Sequence, residues 1–494
     1  METRKTKLMI KKCTLVLLAA GILSSCSMAP TYVRPDAPIE NQFPGNTDSS
    51  AKTPASEIGW NEFFREPHLK ALIAAAIENN RDLRLAALNI EEARALYNVQ
   101  WADRLPTFQV EGNTTRSRTI GGLSPTDSMI TQGNYRVGLG ISAFELDFFG
   151  RVKSLTDAAL AQYLATEEAQ RSVYISLVSE VAKTYLTERA QTKQIELAKK
   201  SYESYKHSYE LMQKRYEVGA SSALELRQYE TLMQSALVSL STLERQRAQT
   251  ENALVILIGG KQIKDLPPPH DLSEDDILQD IPAGLPSDLL ANRPDIRQYE
   301  QLLKAANANI GAARAAFFPR ITLTAFAGTA SSSLSGLFDA GTGAWTFTPQ
   351  LTLPIFDAGR NMANLDLAEA RKNIAIVNYE KAIQTAFKEV ADALTARDWL
   401  NEQVKAQAAV LNSETERLKL SEARYNNGIA SSLEVFDAQR QQFAAEQSLV
   451  DARLTRLINA VELYRSLGGG LTDSSVAKTD VQKEQPVQQP GENA

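Results

Sequence analysis

Two stretches of this chain contain neither glycine nor proline, and their length and spacing limit what it can fold into. Arg151–Val218 is 68 such residues between Gly150 and Gly219, and Arg360–Asn427 is another 68 between Gly359 and Gly428. The copies lie 209 residues apart, and at that offset Tyr216 matches Tyr425, Leu224 and Glu225 match Leu433 and Glu434, and Gly259 and Gly260 match Gly468 and Gly469. Uninterrupted helix rises about 1.5 Å per residue, so each stretch reaches about 100 Å. No ordinary globular core is that long, and the pattern predicts an internal repeat that serves an elongated assembly.

Each long helix is followed by a reversal and a shorter return helix, Ala220–Ile258 and Ile429–Leu467, 39 residues each. Ser222 with Glu225 and Ser431 with Glu434 have the Ser-x-x-Glu spacing of a capping box, just after a glycine that can end the incoming helix. The two glutamates therefore read as caps, not as catalytic groups. A further helix is expected from Pro67 to about Arg104, with a counterpart from Pro294 to Phe317. Here the offset is 213, matching Asp82 with Asp295, Arg84 with Arg297 and Pro106 with Pro319. The difference of four residues assigns an extra piece, a Gly/Ser/Pro/Thr loop, to the first copy between Thr119 and Asn134.

Strands bracket each loop. In Trp345–Leu353, Trp345, Phe347, Pro349, Leu351 and Leu353 alternate with Thr346, Thr348, Gln350 and Thr352; in Tyr135–Ala143, Tyr135, Val137, Leu139, Ile141 and Ala143 alternate with Arg136, Gly138, Gly140 and Ser142. Thr107–Thr115 and Ile321–Thr329 are the less regular partners. Strands of about ten residues with this period fit a transmembrane barrel, but a soluble half-buried sheet has the same period. Topology separates the two. Four strands cannot close a membrane barrel, and open edges in hydrocarbon cost several kcal/mol per unpaired group. Other copies of the chain must complete it; two copies supply eight strands and three supply twelve.

Residues 1–25 read as an export signal: Arg4, Lys5, Lys7, Lys11 and Lys12 precede an apolar run, Leu15–Leu23, too short to span a bilayer. Leu23-Ser24-Ser25-Cys26 resembles a bacterial lipobox, which implies lipidation of Cys26, and Ser27 in place of an aspartate favours the outer membrane. Removal of the signal takes the formal net charge from −6 to −10, since five basic residues and Glu2 leave with it. An acidic chain without a basic stripe argues against nucleic acid. Cys13 is lost with the signal and Cys26 would carry lipid, which leaves no thiol for a disulfide or a metal. His68, His207 and His270 are the only histidines and lie far apart in the chain, no nucleotide or hydrolase motif is present, and neither catalysis nor a cofactor is expected. The expected divisions are a signal (1–25), an extended lipid-anchored segment (26–66), a first repeat (67–260), an acidic connector (261–289), a second repeat (290–470) and a disordered tail (471–494).

Leu285-Pro-Ser-Asp-Leu-Leu-Ala-Asn-Arg-Pro-Asp-Ile296 and Ala312-Ala-Arg-Ala-Ala-Phe-Phe-Pro319 resemble the central signature of outer-membrane factors, the TolC-like channels of Gram-negative bacteria. Glu145-Leu-Asp-Phe-Phe-Gly-Arg151 and Leu353-Pro-Ile-Phe-Asp-Ala-Gly-Arg360 resemble that family's second and fourth strand exits, and Trp60, Phe63-Phe64 and Pro67-His-Leu69 its entry segment. The likeness covers nearly all of Cys26–Gly470 and is closest to the lipoprotein branch serving resistance–nodulation–division drug pumps. Ala291-Asn292 and Gln298-Tyr299 depart from the family pattern. The resemblance implies a mainly α fold with a transmembrane β part: a trimeric α/β barrel with four strands and long helical hairpins per chain, in two structural repeats. It implies a homotrimer in outer-membrane lipid that works with a periplasmic adaptor and an inner-membrane pump as a passive exit duct for drugs. The alternatives are a type I secretion exit channel and a periplasmic coiled-coil lipoprotein without a pore. It further places adaptor docking at Val218, Gly219, Ala220 and Ser222 and at Asn427, Gly428, Ile429 and Ser431. A periplasmic gate is implied at Tyr425, Leu433 and Asp437, with Gln228 standing where a first-repeat carboxylate would be.

Overall fold

The computed structural model describes residues 27–40, 42–43, 55–120, 129–260, 266–278, 281 and 286–471. The signal, Cys26 and the tail from residue 472 lie outside the described residues. Helices are α1 (Trp60–Phe63), α2 (Pro67–Asn79), α3 (Arg81–Ala102), α4 (Arg151–Glu217), α5 (Ala223–Leu257), α6 (Pro286–Asn292), α7 (Pro294–Ala315), α8 (Arg360–Asn426) and α9 (Ser432–Ser466). Strands are β1 (Phe108–Thr119), β2 (Ile130–Leu146), β3 (Arg320–Ser331) and β4 (Gly343–Thr352). The two long helices have 67 residues each and the two return helices 35 each. The chain forms two compact units that do not follow the repeats: residues 27–36, 89–167 and 298–380 make one, and 37–88, 168–297 and 381–471 the other.

The first unit contains the sheet, antiparallel throughout in the order β1-β2-β3-β4. Phe108 stands opposite Ile141, Ile141 opposite Ala325, and Ile321 opposite Leu351. One face thus collects Phe108, Val110, Val137, Leu139, Ile141, Leu323, Trp345, Phe347 and Leu351, and most of it is bare: Val110 is 75% and Trp345 77% exposed, while Val137, Ile141 and Leu323 are half-buried. The expected alternation fails at one place. The register shifts between Ile141 and Phe144, and Ala143 takes a φ of 49°, so Phe144 and not Ala143 continues the apolar face. A bulge adds one residue and exchanges the faces beyond it, a change that residue periodicity cannot reveal. The extra piece of the first copy is not all loop either, since Ile130–Asn134 lies in β2. Gly138 faces Gly328 across β2 and β3, where a Cβ would lie 2.4 Å from the Ala327 oxygen or 2.2 Å from the Val137 oxygen. Only glycine permits that approach.

Residues 27–34 lie along α7 in the same unit. The Pro30 carbonyl accepts from Asn307 (2.7 Å), while Tyr32 and Arg34 donate to Glu300, whose side chain is nearly buried (3.2 and 2.6 Å).

In the second unit, helix pairs pack by heptads. Ile195, Ala198, Tyr202, Tyr205, Tyr209 and Met212 on α4 repeat at intervals of three and four, as do Leu226, Tyr229, Met233, Ala236, Leu240 and Leu243 on α5. That is the 3.5-residue period of a coiled-coil seam. Phe436 and Phe443 of α9 pack against the same clusters and join the second hairpin to the first. The single helix expected from Pro67 is two. Asn80 is extended (φ −62°, ψ 135°), and its side chain accepts from the Asp82 and Leu83 amides at 2.9 and 3.0 Å. It ends α2 and caps α3. The counterpart at offset 213 is Arg293, buried between α6 and α7, donating to Asp295, Glu389 and the Ser466 carbonyl. Helix α6 therefore holds in the second repeat the place that α2 holds in the first. Both histidines bond across the connector's end: the His270 amide donates to Glu66 (3.2 Å) and the His68 ring bonds the Pro267 carbonyl (2.6 Å). They hold the connector.

The two return helices begin differently. At α5 the capping box is complete, Ser222 accepting from the Glu225 amide (3.1 Å) and Glu225 from the Ser222 amide (3.3 Å). At α9 the expected box is not formed: Ser431 makes no side-chain cap, and the Glu434 carboxylate pairs with Arg424 (3.1 Å). Ser222→Ala should therefore cost about 1 kcal/mol of local stability and speed exchange of the Glu225 amide about fivefold. Ser431→Ala should leave the Glu434 amide unchanged, as hydrogen-exchange mass spectrometry can check.

Candidate functional site

The tips of the two helical hairpins bring the candidate residues together. Both long helices end in the same device. Gly219 donates to the Tyr216 carbonyl (3.0 Å) and Ala220 to that of Arg215 (2.7 Å); Gly428 donates to Tyr425 (2.9 Å) and Ile429 to Arg424 (2.9 Å). These paired bonds are the Schellman closure, and they need a left-handed residue. Gly219 (φ 78°) and Gly428 (φ 73°) supply it, with open space where a side chain would start. Val218 is 79% and Ile429 70% exposed, and Leu224 and Leu433 are exposed beside them. Four apolar side chains thus crown two adjacent turns.

The tips are joined by two hydrogen bonds that sequence reading did not anticipate. Arg215 Nη1 donates to Tyr425 Oη (2.9 Å), and Ser432 Oγ donates to Glu225 Oε1 (2.9 Å). Glu225 is thus a cap and a bridge at once. Its three hydroxyl and amide donors, Ser432 first, hold its carboxyl below the usual carboxylate range. The asymmetry between repeats is legible only in space: Arg215 and Arg424 match at offset 209, yet one reaches the tyrosine of the other hairpin and the other pairs with Glu434 of its own.

Asp437 lies one turn beyond Leu433, as its spacing implies, but it is not a bare carboxylate. It pairs with Arg417 of α8 (2.5 Å) and Arg440 (3.0 Å), which, Arg417 first, lower its pKa. No sequence signal near Asp437 pointed to Arg417, twenty residues upstream on the facing helix. Among the described residues no helix is long and apolar enough to cross a membrane, and no group of three acidic, cysteine or histidine side chains could hold a metal.

Residues 72–260 and 285–469 match the family described as outer membrane efflux protein. The toluene efflux pump outer membrane protein TtgC of Pseudomonas putida is 45% identical over 466 residues, covering 94% of this chain and 96% of that protein. The outer membrane protein OprJ of Pseudomonas aeruginosa is 45% identical over 454 residues, covering 92% and 95%. Among solved structures, the open state of the Neisseria gonorrhoeae MtrE outer membrane channel superposes with a TM-score of 0.83 at 39% identity, covering 91% of this chain and all of that one. With the sheet, the long hairpins and these relatives in agreement, the chain belongs to the outer membrane efflux protein family and is the outer-membrane channel component of an efflux pump.

Proposed function

We propose that three copies close a twelve-stranded barrel in the outer membrane and that their helical hairpins line a passive exit duct through the periplasm. An inner-membrane pump drives transport and a periplasmic adaptor grips the tips. The observation that carries this reading is the sheet. It pairs a bare apolar face with unpaired edges at β1 and β4, an arrangement stable in hydrocarbon only when other strands complete it. Strands of 10 to 17 residues meet the length a tilted strand needs to cross a bilayer.

The relatives' names speak of antibiotics, toluene and solvents, and small apolar or amphiphilic molecules are the cargo we assign. The acidic chain gives nucleic acid no purchase, and passive conduction requires neither catalysis nor a cofactor. Cys26 is acylated in this reading and supplies a second anchor beside the barrel. Docking falls to Val218, Gly219, Ala220, Ser222, Asn427, Gly428, Ile429 and Ser431, and gating to Tyr425, Leu433 and Asp437. Purified protein added to a planar bilayer should produce discrete conductance steps. A preparation that inserts yet passes no ions would return the poreless spacer, and transport of a secreted polypeptide but not of drugs would return the secretion duct.

A further inference from the structure

The apolar face of the sheet ends in charge. On β1 the row of Phe108 and Val110 continues through Thr114 to Arg116 and Arg118, which stand opposite Gly133 and Thr131 of β2. The long helices leave the sheet from the Phe108 end, so the two arginines mark its outer end in the barrel reading above. A strand rises about 3.3 Å per residue, and a barrel strand tilts by about 40°. Arg116 therefore stands about 20 Å and Arg118 about 25 Å above Phe108 along the membrane normal. The outward apolar band of such barrels is about 25 Å tall, which puts the pair at its outer rim, where hydrocarbon gives way to headgroups.

Among the described residues nothing balances this charge. No residue on that face of the sheet is acidic. The other arginines of the sheet are occupied: Arg320 pairs with Glu145 (2.6 Å), and Arg136, on the opposite face, lies over the Phe326 ring (5.2 Å). Arg116 has no such partner among the described residues, and Arg118 reaches only the Met129 sulfur (3.1 Å). Both are exposed. The surface beside them is shaped as well. Gly133 has no side chain, and the Tyr135 ring leans into that space, its Cε2 3.0 Å from where a Cβ would stand. Two guanidinium groups, about 7 Å apart along the strand, thus share one corner of the wall with an amphipathic ring suited to headgroup level.

We infer that Arg116 and Arg118 bind a phosphate group of lipopolysaccharide, the glycolipid of the outer leaflet, with the Tyr135 ring against its sugar. The site rests on the barrel reading above and adds a lipid ligand to it. A guanidinium stays charged and offers phosphate two parallel donors, and two guanidinia on one strand face can grip the same group. The restricted solvent of the rim strengthens that attraction. The other end of this face, at Phe108, Ile321 and Leu351, carries no charge, so the placement selects the outer leaflet over the periplasmic one.

The test titrates the full-length protein, purified in detergent, with lipopolysaccharide and counts bound lipid by native mass spectrometry. The unmodified protein should bind at least tenfold more tightly than the double variant Arg116→Gln with Arg118→Gln, and Arg116→Lys with Arg118→Lys should recover part of the loss. Arg136→Gln, which removes the same charge from the opposite face, should bind like the unmodified protein. Equal affinity of the unmodified protein and the double glutamine variant overturns the site. Undiminished binding of enzymatically dephosphorylated lipopolysaccharide overturns it too, and is the result expected if the arginines only deter stray pairing at a free edge. Phosphatidylglycerol bound as tightly as lipopolysaccharide overturns the assignment to the glycolipid. Every variant should keep the native mass and the bilayer conductance of the unmodified protein. An unmodified protein that is monomeric and conducts no ions sinks the barrel reading itself.

Discussion

Gly219→Trp and Gly428→Trp should each abolish drug resistance in a strain that depends on this channel, while the protein still reaches the outer membrane as a folded oligomer. Both glycines sit in left-handed backbone, where a side chain costs about 1–2 kcal/mol. That is local strain at the end of hairpins held elsewhere by apolar clusters, so the fold should survive. Open space surrounds each position, so an indole projects outward and occupies the ground a partner must reach. The exposed Val218, Leu224, Ile429 and Leu433 beside it form the apolar crown such a partner would bury. Loss of resistance with unchanged protein level, oligomer and bilayer conductance would localise the defect to docking. Full resistance in both variants would move docking away from the tips.

What the sequence revealed and what it concealed divide along physical lines. Both long helices end within a residue of their expected limits, because the absence of glycine and proline and the flanking glycines act locally. The four strands were also found, since period two is a local pattern. Events that depend on partners distant in the chain were not. Asn80 and Arg293 both break helices, yet only the arginine is announced, by the following proline; Asn80 lies in an unremarkable Asn-Asn-Arg run. The Ser431 box has the right spacing and does not form, and Glu434 pairs with Arg424 instead. Glu225 was identified as a cap, but its second bond, to Ser432, joins residues 207 positions apart. The bonds that tie His68 to Pro267 and Glu66 to the His270 amide are concealed for the same reason.

Removing the two bonds between the tips should open the channel. Hydrogen bonds of this kind contribute about 0.5–1 kcal/mol each net of water. Three copies would hold six of them, or about 3–6 kcal/mol in favour of the state in which the tips are joined, a factor of about 10² to 10⁴ in population. Tyr425→Phe with Glu225→Ala should therefore turn brief openings in planar bilayers into sustained ones. The charge at Asp437 has a separate, testable effect. Three such carboxylates about 6 Å apart would repel by about 0.7 kcal/mol per pair in water, but each is balanced here by Arg417. Such a ring should thus be only weakly cation-selective. Arg417→Ala should strengthen cation selectivity and block by divalent ions, Asp437→Ala should shift selectivity toward anions and abolish that block, and Gln228→Ala should do neither. Because Arg417 depresses the Asp437 pKa, the pair is fully present above the ordinary carboxylate value of about 3.9 and is lost only as pH falls through the lower folded value. Conductance should therefore be insensitive to Asp437 between pH 7.5 and pH 5. Equal, negligible changes in Asp437→Ala and Gln228→Ala would rule out an asymmetric gate at the second hairpin and leave the duct itself unaffected.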